Sequence, residues 1–314
     1  MFRYFLRRLG FLVLTLIVTS LIVFIVTQFL PGDVCRIILG REAGEAALQT
    51  CRQDLGLDQP LVRQYLGWLG NFLTGDWGIS YSTRQPIYPL VMSRMGNSAM
   101  LMGLTLLIAV PISVLLGVLA GLNENRWLDN AINVFSLSVV GLPEFVTGVI
   151  LIQIFAFNLG WLPANSSIPP DASFREALPM LVLPALTATL VLLAYIARLT
   201  RAGVIEELKR PYVRTATLKG LPEWTVIFKH VLRNALLPTI TVVAISVGWL
   251  ISGLIVIENV YNYPGLGRLL VFAIDRRDLP IMQAVTMITV LGFALANLFA
   301  DLLYAALNPR IRLT

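Results

Sequence analysis

Charged residues are scarce in this sequence. Asp, Glu, Lys and Arg make up only 13% of the 314 residues, and 57% are hydrophobic, whereas a soluble domain carries about 25% charged residues. A compact soluble fold of this length could not bury so much apolar surface, so the bilayer must cover the excess. The scarcity of charge therefore excludes an ordinary soluble domain.

Residues that hold metals and nucleotides are also few. The chain has one histidine, His230, and two cysteines, Cys35 and Cys51, with no CxxC, HExxH or Cys/His cluster, which argues against a structural zinc site. A GxxxxGK[ST] motif is absent, so no P-loop is present to hold a nucleotide. The net charge is +6, yet no run of Lys and Arg reaches four residues, which argues against a nucleic-acid partner. We expect no cofactor in this chain.

Long apolar stretches dominate what is present. Six of them reach the ~20 residues that a helix needs to cross ~30 Å of hydrocarbon. These stretches are Leu9–Leu30, Ala99–Leu122, Ala131–Phe157, Ala177–Ala197, Ala235–Ile257 and Ile281–Leu307. The sequence therefore predicts an all-α polytopic membrane protein with about six transmembrane helices. Residues 1–30 begin with arginines and lack a small-x-small cleavage site, so we interpret them as an uncleaved signal-anchor helix.

Lys and Arg are unevenly distributed over the segments between these stretches. If the spans alternate in direction, 14 of the 24 basic residues, including every lysine, lie on the side of the N-terminus. Cytoplasmic segments of membrane proteins carry an excess of Lys and Arg. We therefore expect both termini in the cytoplasm.

The segment expected outside the cytoplasm, residues 31–98, is too long for a simple turn. Its apolar residues over Pro60–Leu73 recur with helical spacing. Such a helix could pack on the outer ends of the spans, or form a lid or docking surface near the mouth of a pathway. The segment also holds Cys35 and Cys51, and an oxidising compartment permits a disulfide. Because sequence does not supply the Cα separation that a bridge needs, their pairing stays open, and oxidation is the prediction to test.

The second long segment, residues 198–234, lies on the expected cytoplasmic side. Gly220 can adopt the positive φ that ends a first short helix. Pro222 and Glu223 suit the first turn of a second one. A helix-turn-helix of this kind is stiff, so it could transmit force between a partner protein and the flanking spans.

Short motifs occur in a fixed order along nearly the whole chain. They are Arg3–Arg8, Leu30–Asp33, Leu55–Pro60, Gly75–Ser80, Tyr212–Ala216, Leu232–Pro238, Ile257–Val260, Tyr263–Arg268 and Asn308–Arg312. In this order they resemble the inner-membrane permeases of ATP-binding-cassette importers for oligopeptides, dipeptides, nickel and glutathione. The wider superfamily has a loop motif with Glu-Ala-Ala, Gly and Ile-x-Leu-Pro. Only Ala216, Gly220 and Leu232 match it here, a departure that favours the peptide branch.

The resemblance implies a type I importer permease fold with its core in residues 99–314, in a bacterial inner membrane. It implies four further components: a second homologous permease, two ATP-binding-cassette ATPase subunits or domains that bind ATP and Mg²⁺, and an extracytoplasmic solute-binding protein. It also implies that the 198–234 segment couples to the ATPases. The candidate coupling residues are Arg214, Thr215, Ala216, Leu218, Lys219, Gly220, Leu221, Pro222, Glu223 and Trp224.

Glu144 is the one carboxylate near the middle of a predicted span. It must face the bundle, a cavity or a partner, either as a pathway residue or as a packed, protonated or hydrogen-bonded carboxyl. An autonomous secondary transporter or channel would predict inverted repeats or several intramembrane charges. An intramembrane enzyme would need a nucleophile, base or metal set. Neither pattern is present, so we expect a transport subunit and not an enzyme, for a peptide or a related small solute that the sequence does not identify.

Overall fold

Helices account for most of the chain. The computed structural model describes residues 2–29, 34–40, 42–169 and 173–307, and within these ranges a single bridge between Ile79 and Pro86 is the only β-type pairing. The motifs at Leu30–Asp33 and Asn308–Arg312 lie outside the described residues. The helices are α1 Phe2–Phe29, α2 Val34–Leu39, α3 Glu45–Asp54, α4 Leu61–Thr74, α5 Ile87–Leu122, α6 Trp127–Val140, α7 Glu144–Leu151 (continued by a π-helix, Ile152–Asn158), α8 Phe174–Leu208, α9 Pro211–Leu218, α10 Glu223–Thr225 (continued by a π-helix, Val226–Val231), α11 Leu232–Ala235, α12 Leu237–Val260, α13 Leu266–Arg276 and α14 Leu279–Leu307.

Five of these helices are long and apolar enough to cross a membrane. They are α1, α5, α8, α12 and α14, and α6 together with α7 and its π-helix makes a sixth span if the bent pair counts as one. The predicted all-α polytopic class with about six spans is therefore confirmed.

The third predicted span is not one straight helix. Residues Ala131–Phe157 were predicted as one span, but α6 and α7 meet at an angle of 105°. Pro143 has no backbone N–H and disfavours helical geometry at the residue before it. Leu142 stands at that position, and Pro143 then precedes the first turn of α7, where its fixed φ is suited to a helix start. The predicted third span is therefore broken in two, and it counts as one span only if the bent pair is taken together.

Two other spans extend beyond the apolar stretches that predicted them. Helix α5 begins at Ile87 rather than Ala99, and α8 continues to Leu208 rather than ending at Ala197. The added turns contain charged residues, Arg94 in α5 and Arg198, Arg201, Glu206 and Glu207 in α8, so the uncharged apolar stretches did not include them. They are stabilised by contacts with distant segments: the side-chain amide of Asn97 donates to the carbonyl of Pro264 at 2.8 Å. Helix α5 thus crosses the boundary predicted at residue 98.

Helices α5 and α8 form the centre of the bundle. Buried side chains of both helices, with Leu250, Leu254 and Ile257 of α12, make up the main apolar cluster. A Cβ at Gly117 would lie 2.5 Å from the carbonyl oxygen of Ala197 and 2.6 Å from Cβ of Thr200. Only glycine permits this approach of two helix backbones, as small residues do in membrane bundles generally.

The bundle has two ends. With alternating spans, the N-terminus, the 123–126 turn and residues 209–236 share one end, called here the terminal face. Residues 34–40, 42–86, 159–169 and 261–278 share the other, called the opposite face. Lys209 and Glu124 form an ion pair of 2.9 Å at the terminal face, and Asp278 accepts a hydrogen bond of 2.6 Å from Ser80 at the opposite face.

Candidate functional site

Residues 209–236 form a helical hairpin on the terminal face. Helix α9 ends at Leu218, and Gly220 follows it with a φ of +75°, which confirms the expected left-handed residue. The N–H of Gly220 donates to Thr217 O at 3.0 Å. The second arm begins after Pro222 with Glu223 in its first turn, as predicted. It continues through a π-helix into α11, so the hairpin leads directly into the span α12.

The interior of the hairpin packs against the end of α8. Ala216, predicted as a coupling residue, lies buried in a cluster with Val226, Val231 and Ala235 of the second arm and Val204 of α8. Its small side chain lets the two arms approach, so Ala216 belongs to the packing of the hairpin and not to its contact surface. The hairpin is thereby fixed to α8.

Polar contacts hold the first arm as well. The Tyr212 hydroxyl donates to Glu207 at 2.6 Å, and Arg210 pairs with Glu206 at 2.6 Å. Burial, and to a lesser degree the hydrogen bond to Glu207, raise the pKa of Tyr212. The phenol therefore remains a neutral donor at physiological pH. The hairpin and the last turns of α8 consequently form one stiff unit.

The tip of the hairpin exposes large apolar side chains. Leu218, Trp224 and Phe228 are 79%, 71% and 59% exposed, and the rings of Trp224 and Phe228 stack with centroids 5.5 Å apart. With Leu221 they form a surface called here the tip patch. Contiguous exposed apolar surface of this kind marks an interaction site. Sequence reasoning missed Phe228, although its position one helical turn after Trp224 was a usable signal.

The remaining coupling candidates surround the tip patch on the same hairpin. Arg214, Thr215, Lys219, Pro222 and Glu223 are all exposed. The structure thus brings the candidate coupling residues together on one hairpin, with Ala216 turned inward. The predicted surface thus combines exposed apolar side chains with two basic residues, Arg214 and Lys219, and one acidic residue, Glu223.

A buried ion pair links the hairpin-bearing helix α8 to the broken span. Asp129, 1% exposed, accepts hydrogen bonds from Nε and Nη2 of Arg201 at 2.5 and 2.6 Å, and further bonds from Asn125 N and the Asn133 side chain. Bidentate Arg–carboxylate pairs are strong and geometrically specific. Sequence reasoning missed the pair, because Asp129 and Arg201 lie 72 positions apart.

Glu144 is the first residue of α7, immediately after the break. Its Oε2 atom is buried and has no hydrogen-bond partner among the residues that the structure describes. The first turn of a helix stabilises a negatively charged side chain, because the positive end of the helix dipole lies there. Glu144 lies in α7 and not in the hairpin. Among the described residues, no hydrogen bond or ion pair joins its side chain to the hairpin.

Glu258 has a structural role at the opposite face. Its carboxylate accepts hydrogen bonds from Ser98 Oγ at 2.6 Å and from the N–H of Arg268 at 3.1 Å, in the first turn of α13. A Cβ on Gly265 would overlap this carboxylate. The motif Tyr263–Arg268 therefore forms a turn that receives the carboxylate of Glu258.

The two cysteines lie on the opposite face. Cys35 and Cys51 are bonded as a disulfide, with their Cα atoms 5.9 Å apart. That separation falls within the usual range for bridged pairs. The bridge joins α2 to α3 and constrains the segment that follows the first span.

Comparisons with known proteins cover both halves of the chain. The family model of the binding-protein-dependent transport system inner membrane component matches residues 113–313, and the model of the N-terminal part of the membrane component matches residues 1–102. The glutathione transport system permease protein GsiC of Escherichia coli (strain K12) is 40% identical over 312 residues, which is 99% of each chain. GsiC of Shigella flexneri serotype 5b (strain 8401) gives the same identity and coverage.

A solved structure shares the fold. The crystal structure of an amino acid ABC transporter with histidines superposes with a TM-score of 0.53 at 15% identity, over 69% of this chain and 94% of that one. At this identity the likeness concerns the fold alone.

Proposed function

The chain belongs to the family of binding-protein-dependent transport system inner membrane components, and from this premise we propose that it transports a peptide or a glutathione-like solute inward through ATP-driven coupling at the tip patch. It is a permease subunit of an ABC importer of the peptide/glutathione family, in the inner membrane. The 40% identity to the glutathione permeases supports a small peptide as the transported solute.

The proposed assembly contains a second, homologous permease, two ATPase subunits or domains that bind ATP and Mg²⁺, and an extracytoplasmic solute-binding protein. We place the terminal face in the cytoplasm. The excess of Lys and Arg in the segments at that face supports this orientation. The hairpin then meets the ATPases, and the opposite face meets the binding protein.

The observation that carries the proposal is the exposed tip patch on a rigid hairpin. ATPase closure would displace the hairpin through Leu218, Trp224 and Phe228. Because the hairpin packs on α8 and continues into α12, both spans would move with it. The Asp129–Arg201 pair would pass the motion from α8 to α6. The other end of α6 is the break that precedes Glu144. These elements together can alternate the access of a pathway between the two faces.

The double substitution Trp224→Ala/Phe228→Ala tests this proposal. It removes the stacked rings of the tip patch without touching the buried cluster of the hairpin. We expect uptake by the reconstituted transporter to fall at least tenfold, and the amount of ATPase that copurifies with the permease to decrease.

The matched control is Trp161→Ala. Trp161 is 70% exposed, as Trp224 is, but lies on the opposite face. It should leave ATPase copurification unchanged. If the double variant takes up solute at the wild-type rate, the tip patch is not the coupling surface.

A further inference from the structure

Helix α4 carries two apolar stripes, and α1 covers only one of them. Tyr65, Trp68 and Phe72 recur at helical spacing. Tyr65 and Trp68 pack on Phe24 of α1 with ring centroids 5.5 and 5.9 Å from it. The adjacent stripe contains Val62, Leu66, Leu69 and Leu73. Within it Val62, Leu66 and Leu73 are 71%, 60% and 76% exposed.

The remaining side of α4 is polar and borders an open cavity. Arg63, Gln64 and Asn71 line this cavity of about 550 Å³, together with other amide side chains from the neighbouring segments. The amide of Gln64 donates to the carbonyl of Gln59 at 2.8 Å on this side. One side of the helix is thus suited to water, while the exposed aliphatic stripe is not.

The contacts with α1 fix the depth of α4 along the membrane normal. The Tyr65 hydroxyl and Ser20 Oγ are 2.8 Å apart, and Gln64 accepts a hydrogen bond from Gln28 at 3.0 Å. Ser20 precedes the end of α1 at Phe29 by nine residues, which is about 13 Å of helix. Half the hydrocarbon thickness is about 15 Å. Helix α4 therefore lies beside the last turns of a span and not above the membrane surface.

The neighbouring surface of α1 is exposed at this same depth. Leu21 and Ile25, which flank Phe24 on α1, are 45% and 43% exposed, in a helix apolar enough to be a span. Lipid is the solvent of such side chains. The aliphatic stripe of α4 lies at the same depth, so acyl chains are available to cover it.

We propose that α4 is an interfacial helix that lies in the bilayer, with Val62, Leu66 and Leu73 in contact with lipid acyl chains and Arg63 and Asn71 directed to water. An amphipathic helix with one wide apolar side and one polar side takes this position. The stripe contains only aliphatic residues, whereas protein interfaces are enriched in aromatic residues and Arg. The bilayer would thereby hold the 34–86 segment, including its polar cavity, at a fixed height at the opposite face.

Nitroxide labels on single introduced cysteines test the proposal. Leu66→Cys and Leu73→Cys report on the stripe, and Arg63→Cys and Asn71→Cys on the same helix are the matched controls. Each variant is assembled with its partner subunits in lipid nanodiscs, after uptake has shown that it folds. Collision of the label with O₂, which partitions into lipid, is compared with collision with a water-soluble nickel chelate.

The ratio of O₂ to nickel accessibility at positions 66 and 73 should exceed the ratio at 63 and 71 several-fold. Equal ratios at all four positions would show that the stripe faces water. Protection of positions 66 and 73 from both reagents, relieved when the binding protein or the second permease is left out, would show a protein occupant. Either result overturns the proposal.

Discussion

Gly220 and Gly265 are both glycine, but for different physical reasons. Gly220 has φ +75° and no atom within 4 Å of an added Cβ, so only its backbone conformation requires glycine. Gly265 has an ordinary extended backbone, with φ −102°, but a Cβ there would overlap the carboxylate of Glu258. A substitution at the first changes the direction of the chain, and one at the second pushes two helices apart.

Gly220→Val should abolish transport and leave the subunit inserted in the membrane. A side chain with a Cβ costs roughly 1–2 kcal/mol in the left-handed region, so the turn would change and misplace the tip patch. Reconstituted uptake and the ATPase activity stimulated by the loaded binding protein are the measurements. Gly220→Asn is the control, because Asn tolerates positive φ, and it should retain most of the uptake. Normal uptake by the Val variant would show that this turn is not part of the coupling element.

Gly265→Ala should lower the stability of the permease by about 1–3 kcal/mol, the usual cost of overpacking. The methyl group would displace Glu258 from the first turn of α13. Thermal unfolding of the purified complex measures the loss. Gly103→Ala is the matched control, since no atom lies within 4 Å of its Cβ position. Equal unfolding temperatures for the two variants would contradict the packing that we describe around Glu258.

At the scale of elements, the ion pair between α6 and α8 differs from the one at the surface. Asp129 and Arg201 have side chains 1% and 25% exposed, whereas those of Glu124 and Lys209 are 36% and 65% exposed. Removing one partner of a buried pair leaves an uncompensated charge, at a cost of about 3–5 kcal/mol. An exposed pair contributes only about 0–1 kcal/mol.

Arg201→Ala should therefore destabilise the complex markedly and uncouple uptake from ATP hydrolysis, because α6 would lose its link to α8. Lys209→Ala, the control at the exposed pair, should change stability by less than about 1 kcal/mol. Unfolding midpoints and coupled uptake are measured for both variants. If the two substitutions have similar effects, the Asp129–Arg201 pair does not transmit motion between α8 and α6.

At the scale of the whole molecule, the two faces should be accessible from different sides of the membrane. Single cysteines at Thr83 and Lys209 lie at the opposite and terminal faces, and the native cysteines are bonded to each other. An impermeant thiol reagent should label position 83 from outside intact cells, and position 209 only after permeabilisation. Labelling of both positions from the same side would refute the six-span topology with cytoplasmic termini.

The sequence by itself determined the features that depend on neighbours along the chain. A spanning helix satisfies its own backbone hydrogen bonds, so five of the six apolar stretches were sufficient to locate a long helix that can span the membrane. The turn at Gly220 and the helix start at Pro222 and Glu223 were also predictable, because the φ preference of glycine and the fixed φ of proline are local.

The tertiary structure alone decided what depends on residues far apart in the chain. The added turns of α5 and α8, the inward side of Ala216 and the pairing of Asp129 with Arg201 each require a partner from a distant segment of the chain. The proline at the break was visible in the sequence, but the angle of 105° was not. Hydropathy measures the preference of one segment for lipid, whereas packing and buried charge depend on which segments meet.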